Sequence, residues 1–114
     1  MCQYYNLPLR SYPVIKNIGA IRKMDNKKIE KISRALSDTN RIAILQEFKN
    51  KKDCLYCSEV NDLLDLTQPS VSHHLKQLVD ADLLLPQKEG RSLKYVLNEQ
   101  VLNDYIDCLN ALKD

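Results

Sequence analysis

The sequence is poor in the residues that build corners. It has two glycines and four prolines in 114 residues. Few tight turns can be made from these, which favours helices over a many-stranded sandwich. It also lacks any apolar run approaching the roughly 18 residues of a membrane span. The opening MCQYYNLPLRSYPVIKN has no apolar block of the signal-peptide kind. These two absences point to a cytoplasmic protein. Excess charge is missing as well: the formal net charge is +2. A nucleic-acid surface, if present, must therefore be a local patch. Only two histidines occur, and they are adjacent, in TQPSVSHHLKQL at residues 67–78.

Four cysteines are present, Cys2, Cys54, Cys57 and Cys108. In a cytosolic chain they are expected to be reduced, which argues against a disulfide framework. The single Cys-x-x-Cys, CLYC, falls short of the four ligands of a structural zinc site. A thioredoxin-like enzyme would surround that motif with a βαβ pattern, and none is visible.

Apolar residues at 44% and charged residues at 28% are ordinary for a globular chain of this length, enough for one compact domain. Residues 1–25 read as an N-terminal arm without clear periodicity. The first 24 residues carry Arg10, Lys16, Arg22 and Lys23 and no acid. The segment starting at Met24 would also make a natural chain start, so the arm is either a real extension or an early start. Residues 26–114 read as the folded domain.

From Asn26 the period becomes helical, with Ile29, Ile32 and Leu36 at spacings of three and four. Ser37-Asp38-Thr39 breaks this helix and can cap a second one, whose face is Ile42, Leu45 and Phe48. KNKKD, residues 49–53, reads as a loop. A third helix is predicted over about 58–64, with Val60, Leu63 and Leu64 inward. After a turn at Asp65-Leu66, Thr67 is the expected N-cap of a fourth helix running to about Ala81. Pro69 falls in its first turn, where a missing N–H is harmless. Val71, Leu75, Leu78 and Val79 form its buried side. The period then changes to two. LLLPQKEGRSLKYVLN reads as a hairpin turning at Glu89-Gly90, with Leu83, Leu85, Leu93, Tyr95 and Leu97 as apolar positions. A fifth helix over about 98–113 carries Val101, Leu102, Tyr105, Ile106, Leu109 and Leu112. The fold class is mainly α with a small β-hairpin: five helices and a two-stranded wing, a winged helix–turn–helix. The fourth helix holds the position that enters a DNA major groove.

Adjacent helix residues point about 100° apart, so His73 and His74 cannot grip one ion. No nucleophile or paired carboxylate accompanies them, and the chain is not expected to be an enzyme. His74 lies at the edge of the buried side and reads as a packed, hydrogen-bonded histidine. Thr67, Gln68, Ser70, Ser72, His73, Lys76 and Gln77 supply polar donors, an imidazole and a cation. These suit base edges and phosphates. Lys88, Arg91 and Lys94 cluster around Gly90, where a wing tip can reach the DNA backbone or the minor groove. The bland reading of both groups is a solvated surface. The competing class of function is a winged-helix module that binds proteins and not an operator.

Three stretches resemble the ArsR/SmtB transcriptional repressors. RALSDTNRIAILQEF is similar to their A-L-S-D-P-T-R-L-x-I-L opening. TQPSVSHHLKQLVDADLL resembles S-Q-P-x-V-S-x-H-L-x-x-L-x-x-A-G-L-V, and EGRSLKYVLN resembles the wing pattern x-G-R-x-x-x-Y-x-L. The match covers about residues 27–112. It departs at Thr39, where the family favours proline, and at Asp82, where glycine is frequent. The resemblance implies a homodimeric repressor on a palindromic double-stranded DNA operator, released by an inducer. Ile29, Ile32, Leu36, Leu102, Tyr105, Ile106 and Leu109 are the expected dimer seam; the competing reading is that these stripes complete the core of one chain. A family metal site on the last helix needs histidine, and here only Asp104, Asp107 and Cys108 are available. A second family site uses cysteines near the third helix and the arm. Cys54, Cys57 and Cys2 stand there, and three thiolates would suit As(III), Cd(II) or Pb(II). The spacing differs from the family's Cys-x-Cys, with Ser58 at the second cysteine position. A reversible Cys54–Cys57 disulfide is the redox alternative. The third reading is that Cys57 is a small core residue and Cys54 incidental.

Overall fold

The computed structural model describes residues 24–51 and 54–113. All of the expected arm except Met24 and Asp25 lies outside them. Helix α1 spans Asn26–Ala35, and α2 spans Thr39–Lys51. A short strand, β1, covers Leu55–Tyr56 and leads directly into α3, Cys57–Leu64. Helix α4 spans Gln68–Asp80, strands β2 and β3 span Leu84–Glu89 and Ser92–Leu97, and α5 spans Glu99–Lys113. No helix among the described residues is long and apolar enough to cross a membrane.

Helices α1, α2 and α4 start where a short polar side chain can replace missing backbone partners. Asp25 accepts from the Lys28 amide at 2.8 Å. Asp38 accepts from the Asn40 and Arg41 amides at 2.8 and 3.3 Å. Thr67 caps α4, taking the Ser70 amide at 3.4 Å, with Pro69 in the first turn. Helix α3 ends at Asp65 with φ 52°, a left-handed residue that turns the chain toward α4. A second one, Asp82 at φ 63°, turns it from α4 into the hairpin.

The buried side of α4, Val71, Leu75 and Leu78, is at most 2% exposed. It packs among Ile32 of α1, Ile44 of α2, Val60 of α3, Leu84 of β2 and Val101 of α5. The hairpin closes through Gly90 at φ 61°, with Glu89 opposite Ser92. A Cβ at Gly90 would meet nothing within 4 Å. Glycine is therefore needed there for its backbone angle and not for space.

Several expectations need correction. Helix α2 continues through Lys51, because its last-turn lysines face the negative end of the helix dipole. The sheet has three strands in the order β1-β3-β2, all antiparallel, with Leu55 opposite Tyr95 and Tyr56 opposite Lys94. Two residues are too few to show a strand period, so β1 left no signal in the sequence. Leu63 is exposed, and so is Leu93, while Leu84 and Val96 are buried. On α2 the fully buried isoleucine is Ile44, with Ile42 and Leu45 half-buried.

Two substitutions test this packing by urea denaturation. Leu78→Ala should cost about 2–5 kcal/mol, the usual range for an emptied core leucine site. Thr67→Ala should cost about 1 kcal/mol through loss of the α4 cap.

Candidate nucleic-acid interface

Once Val71, Leu75 and Leu78 are turned inward, the opposite side of α4 has to face outward. Gln68, Ser72, His73 and Lys76 are exposed, and Ser70 and Gln77 are half-buried beside them. The Thr67 hydroxyl accepts the Ser70 amide and donates to Ser70 Oγ at 3.0 Å, so both are committed to shaping the helix start. Lys76 pairs with Asp80 at 3.1 Å, an exposed contact one turn apart that a phosphate can replace at little cost. Gln68 leans back over the turn, its amide 3.8 Å from Cys57 Sγ. The two histidines separate as the helix wheel predicts: His73 is exposed and His74 is buried, with ring centroids 6.0 Å apart.

At the wing, Lys88 and Arg91 stand exposed on either side of the Gly90 turn. Lys94 does not join them. Its side chain is 3% exposed, and its Nζ lies 3.3 Å from Glu89 Oε1. The missed strand explains this burial: β3 lies between β1 and β2, so Lys94 faces Tyr56 on one side and Gln87 on the other. Glu89 also accepts from the Tyr56 hydroxyl at 3.1 Å. The Lys94 ammonium, then the Tyr56 hydroxyl, hold the Glu89 carboxyl below its ordinary value. Lys94 thus fastens the strands of the wing below the turn and is not placed to touch a phosphate.

A further cluster went unseen in the sequence. Arg41 of α2 donates from Nε to the Ala35 carbonyl at 2.7 Å and from one terminal nitrogen to the Arg34 carbonyl at 3.3 Å. Its other terminal nitrogen is 3.0 Å from His74 Nδ1. Asp38 Oδ1 is 4.0 Å from the same ring nitrogen. Burial works against the charge of Asp38. The Arg41 and Asn40 amides outweigh it, aided by His74 and Arg41, and keep the carboxyl below its ordinary value. Burial of His74 was legible from helix spacing; its partner, 33 residues earlier, was not.

The cysteines do not form the pair considered as a redox switch. Cys54 is disulfide-bonded, while Cys57 is a free, half-buried thiol, so the two are not bridged to each other. They flank β1, and along an extended chain three residues span roughly 10 Å. With Cys54 already bonded, the two do not stand as a pair of free thiols. Among the described residues no group of three or more His, Cys, Asp or Glu side chains is placed to hold a metal. Cys2 lies outside the described residues.

The expected dimer seam divides. Ile32 is fully buried and Tyr105 is 8% exposed within the single chain, where the tyrosine hydroxyl meets Ser33 Oγ at 2.9 Å. Both belong to the chain's own core, which corrects their assignment to a seam. Ile29, Leu36 and Leu102 are partly buried against that core. Ile106 and Leu109 stay exposed at 44% and 41%, and Leu112 beyond them at 81%.

Known proteins share this arrangement. Residues 36–87 match a family model described as a helix-turn-helix domain. The arsenical resistance operon repressor of Staphylococcus aureus is 38% identical, across 78% of this chain and 84% of its own length. A solved ArsR family transcriptional regulator has a TM-score of 0.71 at 21% identity, covering 81% of this chain and 93% of its own. A homodimeric winged helix-turn-helix DNA-binding domain from Mycobacterium bovis has a TM-score of 0.60 at 16% identity, covering 80% and 88%. Identities this low bear on the fold alone. The agreement of motifs and fold with a repressor at 38% identity goes further, and this chain belongs to the ArsR/SmtB family of winged helix–turn–helix transcriptional repressors.

Proposed function

We propose that the chain acts as a homodimer that reads an operator with the outer face of α4 and grips the DNA backbone with the wing tip. The observation that carries this is the exposure of Gln68, Ser72, His73 and Lys76 on a helix whose other side is locked into the core. Thr67, Ser70 and Gln77 border that face. Lys88 and Arg91 are the phosphate contacts of the wing. The apolar residues left outside, Ile106, Leu109 and Leu112 on α5, support a second copy as partner. The M. bovis neighbour is itself homodimeric. In such a dimer two copies of α4 would enter successive major grooves, about 34 Å apart.

The readout of each group differs. His73→Ala and Gln68→Ala should each narrow the gap between operator and unrelated DNA by about 1–3 kcal/mol where the side chain meets a base edge. Arg91→Ala should weaken binding to all sequences alike and lower the salt slope by about 0.9. Lys94→Met should leave that slope unchanged while lowering the melting temperature. Anisotropy titrations across a salt series decide between these patterns, and an unchanged slope for Arg91→Ala would remove the wing from the interface.

A thiophilic ion is the inducer this reading favours. Its support is the soft thiolate chemistry that Cys57, and Cys54 once reduced, would offer, together with the arsenical role in the name of the S. aureus relative. Reduced, metal-free protein bound to a fluorescent duplex should release it on adding stoichiometric Cd(II). Replacing Cys54 and Cys57 with serine should abolish that release. A response that survives the double substitution removes both cysteines from sensing.

A further inference from the structure

Arginine has no acceptor atom and stays charged, so in the Arg41–His74 contact the ring nitrogen must accept. That requires a neutral imidazole with its proton on Nε2. The other two arms of the same guanidinium end on carbonyls in the last turn of α1, those of Ala35 and of Arg34, the latter also accepting from Ser37. One nearly buried side chain therefore joins the end of α1, the start of α2 and the middle of α4. Its exposure is 12% and that of the His74 side chain 11%.

We propose that Arg41 is a positioning residue for operator reading. Its fork ties α4 to the end of α1 through His74, and protonation of His74 undoes the tie, so acid weakens DNA binding. The inference rests on α4 being the DNA-reading helix.

The direction follows from the groups around the ring. These are Arg41 from α2, Asp38 from the α1–α2 turn, and His73 on α4 itself. A proton on Nδ1 removes the acceptor and sets two cations against each other where little water reaches them. Asp38, ionised throughout the range in which histidines titrate, then becomes the favourable partner, and reaching it turns the ring away from the guanidinium. His73 stands exposed on the reading face itself, where any change in it would act on DNA directly. A useful comparison must hold His73 constant.

The test is binding to a labelled duplex from the region upstream of the chain's own gene. It is measured by anisotropy at fixed salt at about pH 7.5 and about pH 5.5. Circular dichroism at both values verifies folding. His74→Asn is the decisive variant, because its amide oxygen can accept from Arg41 near the place of Nδ1 but does not titrate. The parent should lose on the order of tenfold more affinity between the two pH values than His74→Asn, the worth of one charge-assisted hydrogen bond. At neutral pH, His74→Ala should bind more weakly than His74→Asn. Arg41→Lys, which keeps the charge and loses the fork, should resemble His74→Ala. If either of these variants fails to fold, the ratio of parent to His74→Asn decides alone. Equal acid sensitivity in those two, with intact binding at neutral pH, overturns the positioning role and leaves the DNA reading standing. No binding by the parent at neutral pH overturns the DNA reading, and the positioning role with it.

Discussion

Everything outward in this protein depends on how α4 is held from within. A thirteen-residue helix has to be fixed firmly enough that its polar side keeps one orientation, yet it must leave that side uncovered. Val71, Leu75 and Leu78 supply the grip by contact with residues from the helices before and after it and from the hairpin. Hydrophobic contact is non-directional, and the apolar stripe decides which side of the helix turns inward. Finer alignment is left to directional contacts that reach the helix from its neighbours. Among them are the Gln68 amide beside Cys57 Sγ near one end and the Arg41–His74 hydrogen bond in the middle.

The sheet plays a similar part for the wing. An isolated two-stranded hairpin is marginal in water. Here a third strand of two residues stands on the far side of β3, and the Glu89–Lys94–Tyr56 contacts stitch the three strands together just below the turn. The exposed tip with Lys88 and Arg91 is therefore braced from directly beneath. A buried lysine normally carries a desolvation cost. At Lys94 the Glu89 carboxylate offsets part of it, and the half-exposed carboxylate keeps the pair in touch with solvent.

The legible and illegible parts of the fold separate along physical lines. The five helices show in the spacings of three and four, and the caps at Asp25, Asp38 and Thr67 involve residues within three positions of each other. Such local relations are written in short windows of sequence. The outward face of α4 follows from the same wheel that buries Leu75. Relations across the fold do not appear in any window. Lys94 looks like a wing-tip cation because nothing near it announces β1, some forty residues earlier. Arg41 looks like an ordinary helix-surface arginine, because the last-turn carbonyls of α1 and the ring on α4 come within its reach only after packing. The α1 and α5 stripes are read correctly as apolar, but periodicity does not say which of their residues the chain keeps for itself.

The two-residue strand also bears on the order in which the molecule assembles. The pairs that α3 and α4 make with each other are near in sequence, and closing a short loop costs little entropy. Leu55 and Tyr95 are forty positions apart and meet only when the chain between them has folded back. Contacts of that separation form late in a folding chain, since they give no return until the loop between them is closed. The helical pair can therefore condense before the wing has a root. During synthesis β1 emerges ahead of α4, and it has nothing to brace until β3 has followed it out of the ribosome.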